Sequence, residues 1–168
     1  MAHPKRAEMV EDLLARMDRP ATVVWDQVND RHETGLRALL AADETCTHHL
    51  VIQDDALPCR SVVAGVEAAL AHVPEGHPAS FYIGRLRPFR KLIDDAVRQA
   101  DGASWLRMPG PYWGPAIAVP TADVPALAEW WHGKGAKVQN YDRRIARFYQ
   151  ARGLDCFYSW PSLVDHRG

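Results

Sequence analysis

The sequence predicts an α/β fold in which a mostly parallel central sheet is flanked by helices. Short apolar segments alternate along the chain with longer segments of helical periodicity, which is typical of this class. Most of the short segments are apolar at consecutive positions, as expected for strands covered on both faces. The predicted strands are residues 21–26, 48–53, 80–84, 103–107, 115–120 and 155–160.

Six segments carry the helical pattern. In the clearest of them, apolar residues recur on one face from Phe89 to Ala100, at three- and four-residue spacings. The other predicted helices are residues 5–17, 32–42, 60–72, 121–132 and 140–151. No repeat, low-complexity tract or linker interrupts the 168 residues, so we expect residues 1–168 to form a single domain.

The composition is that of an ordinary globular protein, with 47% hydrophobic and 24% charged residues. A formal net charge of −1 gives no electrostatic support for a nucleic-acid partner or for a membrane surface. Three widely spaced cysteines indicate reduced thiols rather than a disulfide framework. We recognise neither a membrane-spanning apolar run nor a signal peptide, and therefore expect a cytoplasmic location.

Polar and titratable residues gather at the ends of predicted strands, where ligands bind in open α/β sheets. These ends carry Asp26, Asp54-Asp55, Gly84-Arg85 and Asp165-His166. The most informative segment is 48-HHLVIQDDALP-58, in which a buried strand runs into two adjacent carboxylates. Such a pair supplies part of a site for Mg²⁺ or Mn²⁺. The ion takes its remaining oxygen ligands from waters and a substrate phosphate. The alternative is that the two aspartates only open a turn.

The segment Val51-Ile52-Gln53-Asp54-Asp55 resembles the acidic DXD motif at the end of a central strand in GT-A glycosyltransferases. Upstream, 22-TVVWDQVNDRHETGLRALLAA-42 is similar to the second strand and following helix of large GT-A families. Downstream, 112-YWGPAIAVP-120, 140-NYDRRI-145 and 160-WPSLVDHRG-168 follow in the family's order. The resemblance covers nearly the whole chain. It implies one Rossmann-like GT-A domain in a small bacterial or phage-type enzyme.

The resemblance implies roles for nine residues. It implies donor binding by His3, Arg6, Asp26, Asp54, Trp113 and Gly114, metal binding by Asp55 and His166, and catalysis by Asp142 as a base. It also implies Mn²⁺ or Mg²⁺ as the cofactor, a nucleotide-sugar donor, and an acceptor hydroxyl on a protein or glycan. Direct attack assisted by such a base would invert the anomeric centre.

Three features depart from the family's pattern. Gln53 replaces an acidic residue of the commoner motif, and the chain stops two residues after His166. The chain also opens with the loop-like His3-Pro4-Lys5-Arg6, so that the family's first strand is shortened or missing. We therefore expect residues 1–3 to form at most a stub strand against the middle of the sheet, and a translation start upstream to add the missing apolar residues.

Other interpretations of these residues stay open. His166 also fits a solvated terminal residue, Asp142 a helix-starting acid favoured by the macrodipole, and Trp113 a packing residue. A nucleotidyltransferase on a similar fold would also pair carboxylates with a metal. A non-catalytic nucleotide-sugar-binding module would bind the donor without turnover. A zinc site is not favoured, because the spacing of Cys46, His48, His49 and Cys59 matches no known finger.

Overall fold

The computed structural model describes residues 1–84, 90–99 and 102–167. Its α-helices are α1 (Ala7–Arg16), α2 (Arg31–Leu40), α3 (Val62–Leu70), α4 (Arg90–Gln99), α5 (Val124–His132) and α6 (Tyr141–Ala151). Short 3₁₀ turns span Pro4–Arg6, Thr121–Asp123 and Lys134–Lys137. Every predicted helix is therefore present with similar ends. Phe89 and Ala100, the ends of the clearest predicted helix, lie outside the described residues, as does Arg85.

The strands are β1 (His48–Ile52), β2 (Ala56–Pro58), β3 (Ala79–Ser80), β4 (Trp105–Met108), β5 (Ala116–Pro120), β6 (Cys156–Ser159) and β7 (Val164–His166). Five of them form one sheet in the order β1-β5-β3-β6-β4, and β2 pairs with β7 in a separate two-stranded sheet. The prediction of an α/β fold is confirmed. The pair β2–β7 was not expected, because strands of three residues leave almost no periodicity in a sequence.

The prediction of a mostly parallel sheet is wrong. β5 runs antiparallel to both β1 and β3, and β4 runs antiparallel to β6. In the described part of the sheet only β3 and β6 are parallel. The error has a physical cause, since a continuous apolar run reports that both faces of a strand are covered but carries no information about its direction.

β5 shows this covering directly, because all five of its residues are buried. Ile117 and Val119 belong to a core beneath α2, α5 and α6, whereas Ala116 and Ala118 belong to a core beneath α3. Successive side chains thus enter opposite layers, as the pleat of a strand requires. None of the helices within the described ranges is both long and apolar enough to cross a membrane.

The predicted strand 21–26 is reduced to one parallel bridge between Ala2 and Trp25. The Ala2 amide donates to the Val24 carbonyl at 2.9 Å, and the Asp26 amide donates to the Ala2 carbonyl at 2.7 Å. On the other side, the Met1 nitrogen donates to the Ile52 carbonyl at 3.0 Å. Residues 1–3 are therefore a stub strand between residues 24–26 and the end of β1. The expected position against the middle of the sheet is wrong, because β1 is at one end of the described strand order. This stub brings Asp26 to the same edge of the fold as the acidic pair.

Candidate functional site

The acidic pair forms the turn that joins β1 to β2. The Ala56 amide donates to the Gln53 carbonyl at 3.1 Å and closes this turn. Because the strand has ended, the two adjacent side chains no longer point to opposite faces. A single nitrogen of the Arg6 guanidinium, Nη1, donates to Asp54 Oδ1 and to Asp55 Oδ2, at 2.8 Å each. Both carboxylates therefore face one cation.

A short helical turn at Pro4–Arg6 presents Arg6 to these carboxylates. Pro4 suits the first position of the turn because its φ is fixed and its missing N–H needs no partner there. His3 precedes it, and its Nδ1 accepts a hydrogen bond from the Lys5 amide at 3.1 Å. The His3 amide donates to Asp54 Oδ2 at 2.7 Å. The backbone of His3 thus ties the turn to the acidic pair.

The pairing of β2 with β7 brings His166 to Asp55. In this register Ala56 lies opposite His166, and the Arg167 amide donates to the Asp55 carbonyl at 2.9 Å. His166 Nε2 lies 3.4 Å from Asp55 Oδ2. The other carboxylate oxygen, Asp55 Oδ1, is buried and has no hydrogen-bond partner among the residues that the structure describes. Asp55 therefore keeps one buried acceptor oxygen that none of these residues satisfies.

Asp26 anchors the loop that leads into α2. Its Oδ1 accepts hydrogen bonds from the amides of Val28 and Asp30, at 3.1 Å each. Burial by itself raises the pKa of the Asp26 carboxyl, but hydrogen bonds led by the Asp30 and Val28 amides outweigh it, so the pKa is lowered from its ordinary value. Asp30 then caps α2 by accepting from the His32 amide at 2.7 Å. This sequence of turns places Arg31 in the first turn of α2.

Asp142 is the second residue of α6, and its surroundings raise the pKa of its carboxyl. The main cause is burial, which disfavours the charged form. The hydrogen bond from the Arg143 amide, at 2.8 Å, and the charges of Arg143 and Arg31 oppose this effect only in part. A carboxylate with a raised pKa holds a proton more readily, as a general base must.

Two glycines allow the segment at Trp113-Gly114 to approach the rest of the site. A Cβ added at Gly114 would lie 2.6 Å from Gln53 Nε2 and 3.5 Å from the Asp142 Cβ. A Cβ at Gly84 would lie 2.4 Å from the Trp113 indole nitrogen. The Trp113 ring meets the ring of Tyr158 edge to face, with centroids 5.7 Å apart. Trp113 therefore packs against the core and also lines the site.

These residues surround a cleft made of two adjoining cavities. A cavity of about 510 Å³ is lined by the predicted residues His3, Arg6, Asp26 and Asp54. A second cavity, of about 320 Å³, is lined by the predicted residues Trp113, Gly114, Asp142 and His166. The two share Met1, Arg31 and Gln53 in their walls. The ninth predicted residue, Asp55, contacts Arg6 and His166 beside this cleft.

Arg31 and Tyr82 also line the cleft, and sequence reasoning did not single them out. Arg31 Nη2 donates to the Gln139 carbonyl at 3.2 Å. The Tyr82 ring lies 6.0 Å from the His166 ring between centroids. Asp30 is of a residue type that caps helices, and this signal in the sequence places the following Arg31 at a helix start. Tyr82 gave no signal beyond its place in an apolar segment.

The residues present fit a divalent ion that is only partly held by protein. Within the described ranges, no group of three or more His, Cys, Asp or Glu side chains is placed to hold a metal. The carboxylate of Asp55 and the nearby imidazole of His166 would supply an oxygen and a nitrogen, and carboxylate oxygens suit Mn²⁺ and Mg²⁺. Waters and substrate phosphate oxygens commonly complete such a site. Arg6, however, now bridges the two carboxylates that flank it.

Comparison with known proteins identifies no family, since no protein-family model matches the chain and no curated protein matches its sequence. A functional interpretation must therefore come from the arrangement of the cleft.

Proposed function

We propose that this protein is a metal-dependent glycosyltransferase of the GT-A type, which moves a sugar from a nucleotide-sugar donor to an acceptor hydroxyl on a protein or glycan. One observation carries the proposal. Nine residues that the resemblance selected from distant parts of the sequence lie in or beside one cleft. Asp54 lines this cleft, and Asp55 contacts Arg6 beside it.

The larger cavity is the place for the nucleoside diphosphate. Asp26 and Asp54 supply carboxylates to hydroxyl and N–H donors of the ribose and base. Lys5, Arg6 and Arg31 line the same cavity and supply positive charge for the phosphates. A site with both kinds of group matches a ligand that is anionic at one part and rich in hydroxyls at another.

Asp55 and His166 would hold Mn²⁺ or Mg²⁺. When bound, such an ion neutralises the charge that builds on a departing diphosphate. Arg6 and Arg31 contribute to the same neutralisation from the protein side. Tyr82, Trp113 and Gly114 line the neighbouring cavity and shape the space for the sugar and the acceptor.

Asp142 acts as the base in this smaller cavity. Its carboxylate takes the proton of the acceptor hydroxyl while that oxygen bonds to the anomeric carbon. The bond from the anomeric carbon to the diphosphate oxygen breaks, and its electron pair leaves with the nucleoside diphosphate. Attack from the side opposite the leaving group inverts the anomeric centre. Burial of Asp142 supports this role, because a raised pKa makes its carboxylate a stronger base.

A non-catalytic nucleotide-sugar-binding module is the second candidate. The contact of Arg6 with both Asp54 and Asp55 favours it, because the guanidinium already neutralises the carboxylates that a metal would need. A module of this kind would bind the nucleotide-sugar with the same cleft residues, and would neither transfer nor hydrolyse the sugar.

A thermal-shift panel tests the proposal. UDP-, GDP-, dTDP- and CMP-sugars are added with and without Mn²⁺, and release of the nucleotide is then measured with the best ligand. A ligand at 1,000 times its dissociation constant stabilises the folded protein by about 4 kcal/mol. We expect one nucleotide class to raise the melting temperature in the presence of Mn²⁺. A shift without transfer or hydrolysis identifies the binding module, and no shift with any ligand refutes both candidates.

A further inference from the structure

Arg6 contacts both carboxylates of the acidic pair and would therefore compete with a metal ion for Asp55. We propose that Arg6 is a displaceable counter-ion, which occupies Asp54 and Asp55 and keeps divalent ions off Asp55 until a bound diphosphate draws the guanidinium away. This inference rests on the proposed function for the identity of the diphosphate, but the competition between Arg6 and a metal stands on the contact itself.

The exposures of the three side chains distinguish the fixed partners from the movable one. The side chains of Asp54 and Asp55 are only 8% and 15% exposed, whereas that of Arg6 is 46% exposed. Two neighbouring carboxylates that are largely buried repel one another and need a positive charge nearby. Arg6 meets this need through one nitrogen that both carboxylates share, so a single side-chain movement breaks both contacts.

The acidic pair keeps its position through contacts that do not involve the Arg6 side chain. Asp54 accepts a hydrogen bond from the His3 amide at 2.7 Å, and the Asp55 carbonyl accepts one from the Arg167 amide at 2.9 Å. Asp55 Oδ1 is buried and has no hydrogen-bond partner in the described part of the chain, Arg6 included. The acidic pair therefore keeps contacts that hold it in place when Arg6 leaves.

The alternative partner for Arg6 is a phosphate group in the cavity that it lines. Lys5 and Arg31 line the same cavity, so an anion there meets three cationic side chains. Arginine binds phosphate through paired N–H donors, whereas here it offers a single nitrogen to two carboxylates. Transfer of Arg6 to the phosphate would free Asp55 for the metal and Asp54 for the nucleoside at the moment when the phosphate needs the metal.

This arrangement couples the binding of the metal to that of the diphosphate. Coupling between two ligands is reciprocal, and it commonly amounts to a 5- to 150-fold change in affinity. Removing the guanidinium should therefore change the affinity for the metal and the affinity for the diphosphate in opposite directions. The metal alone should bind more tightly, because its competitor is gone. A diphosphate without metal should bind more weakly, because it has lost an arginine contact.

The experiment compares the wild type with Arg6→Gln and with Arg19→Gln. The control breaks the 3.1 Å pair between Arg19 and Glu67, which lies outside the cleft. Each protein is titrated with Mn²⁺ alone, followed by electron paramagnetic resonance of free Mn²⁺, and with inorganic pyrophosphate in EDTA, followed by calorimetry. We expect Arg6→Gln to bind Mn²⁺ about 5- to 50-fold more tightly and pyrophosphate about 5- to 50-fold more weakly. Arg19→Gln should match the wild type in both.

An Arg6→Gln protein that folds and binds Mn²⁺ no more tightly than the wild type overturns the inference, and gives Arg6 a structural role only. If Arg6→Gln does not fold, Arg6→Lys is titrated in its place. Lysine keeps one charge but loses the forked geometry, so a modest gain in Mn²⁺ affinity is expected, and an unchanged affinity overturns the inference. The Mn²⁺ titration needs no nucleotide, so its outcome is independent of whether the nucleotide-sugar panel fails.

Discussion

His166 Nε2 lies 3.4 Å from Oδ2 of Asp55, although the two residues lie far apart in the sequence. The register of β2 with β7 creates this proximity by placing His166 opposite Ala56. Carboxylate oxygens and imidazole nitrogens are both common ligands of divalent metal ions. The contact gives His166 a carboxylate partner beside the cleft, and the metal-ligand role of His166 stays a prediction.

Replacing His166 tests that interpretation. His166→Ala should weaken Mn²⁺ binding at least tenfold, because it removes one of the two protein ligands proposed for the ion. The measurement is the Mn²⁺ dissociation constant in the presence of the nucleoside diphosphate chosen by the thermal-shift panel. His72→Ala is a matched control on the loop after α3. An unchanged dissociation constant for His166→Ala would show that His166 does not bind the metal.

Replacing Asp55 should remove the metal dependence of the reaction. Asp55→Ala deletes the oxygen that is proposed to bind the ion, so transfer should fall by roughly 10²–10³-fold and no longer respond to Mn²⁺. Turnover is measured across a Mn²⁺ titration. Asp95→Ala is the control, because Asp95 pairs with Arg98 on the surface of α4. Wild-type turnover by Asp55→Ala would show that the metal assignment is wrong.

Asp142→Asn should separate catalysis from donor binding. The amide cannot accept the proton, so transfer should slow by roughly 10²–10⁴-fold while donor affinity stays near the wild-type value. In the wild type, the acidic limb of the rate profile should lie at a higher pH than an ordinary aspartate gives, because burial raises the pKa of Asp142. A variant that loses donor affinity instead would place Asp142 in the donor site.

The same raised pKa has a consequence for stability. An aspartate whose pKa is higher in the folded than in the unfolded state destabilises the fold once it ionises, so its contribution falls as pH rises through the folded pKa. Asp142→Asn should therefore be at least as stable as the wild type at neutral pH, which urea unfolding would measure. A marked loss of stability in Asp142→Asn would show that the fold needs the carboxylate and would contradict this prediction.

Asp26 should show the opposite pH dependence. Its folded pKa is lowered by hydrogen bonds that outweigh burial, so it stabilises the fold above its ordinary pKa and loses this contribution as pH falls through the lowered value. Asp26→Ala should have a lower melting temperature than the wild type at neutral pH. In acid, the difference between the two melting temperatures should become smaller. Asp26→Asn keeps an acceptor oxygen and serves as the control. Equal melting curves for the wild type and Asp26→Ala at neutral pH would show that Asp26 does not stabilise the loop before α2.

The sequence by itself determined the helices and most strands of the five-stranded sheet, because periodicity and turn residues are local properties. The pattern from Leu92 to Val97 predicted α4, and the unbroken apolar run at residues 116–120 predicted β5 as a strand covered on both faces. Strand direction was not determined. The antiparallel course of β5 depends on which strands lie beside it, and nothing within the five residues records those neighbours.

The sequence also determined the acidic pair, since Asp54 and Asp55 follow an apolar strand directly. Only the tertiary structure decided what the pair contacts. Arg6 reaches it because residues 1–3 insert beside β1, and His166 reaches it because β2 and β7 share one register. Both contacts join residues far apart in the chain, so they depend on strand pairings and cavity walls that form only when the whole fold packs. Local composition can nominate such residues, but the packing of distant segments is what brings their charges within hydrogen-bonding distance.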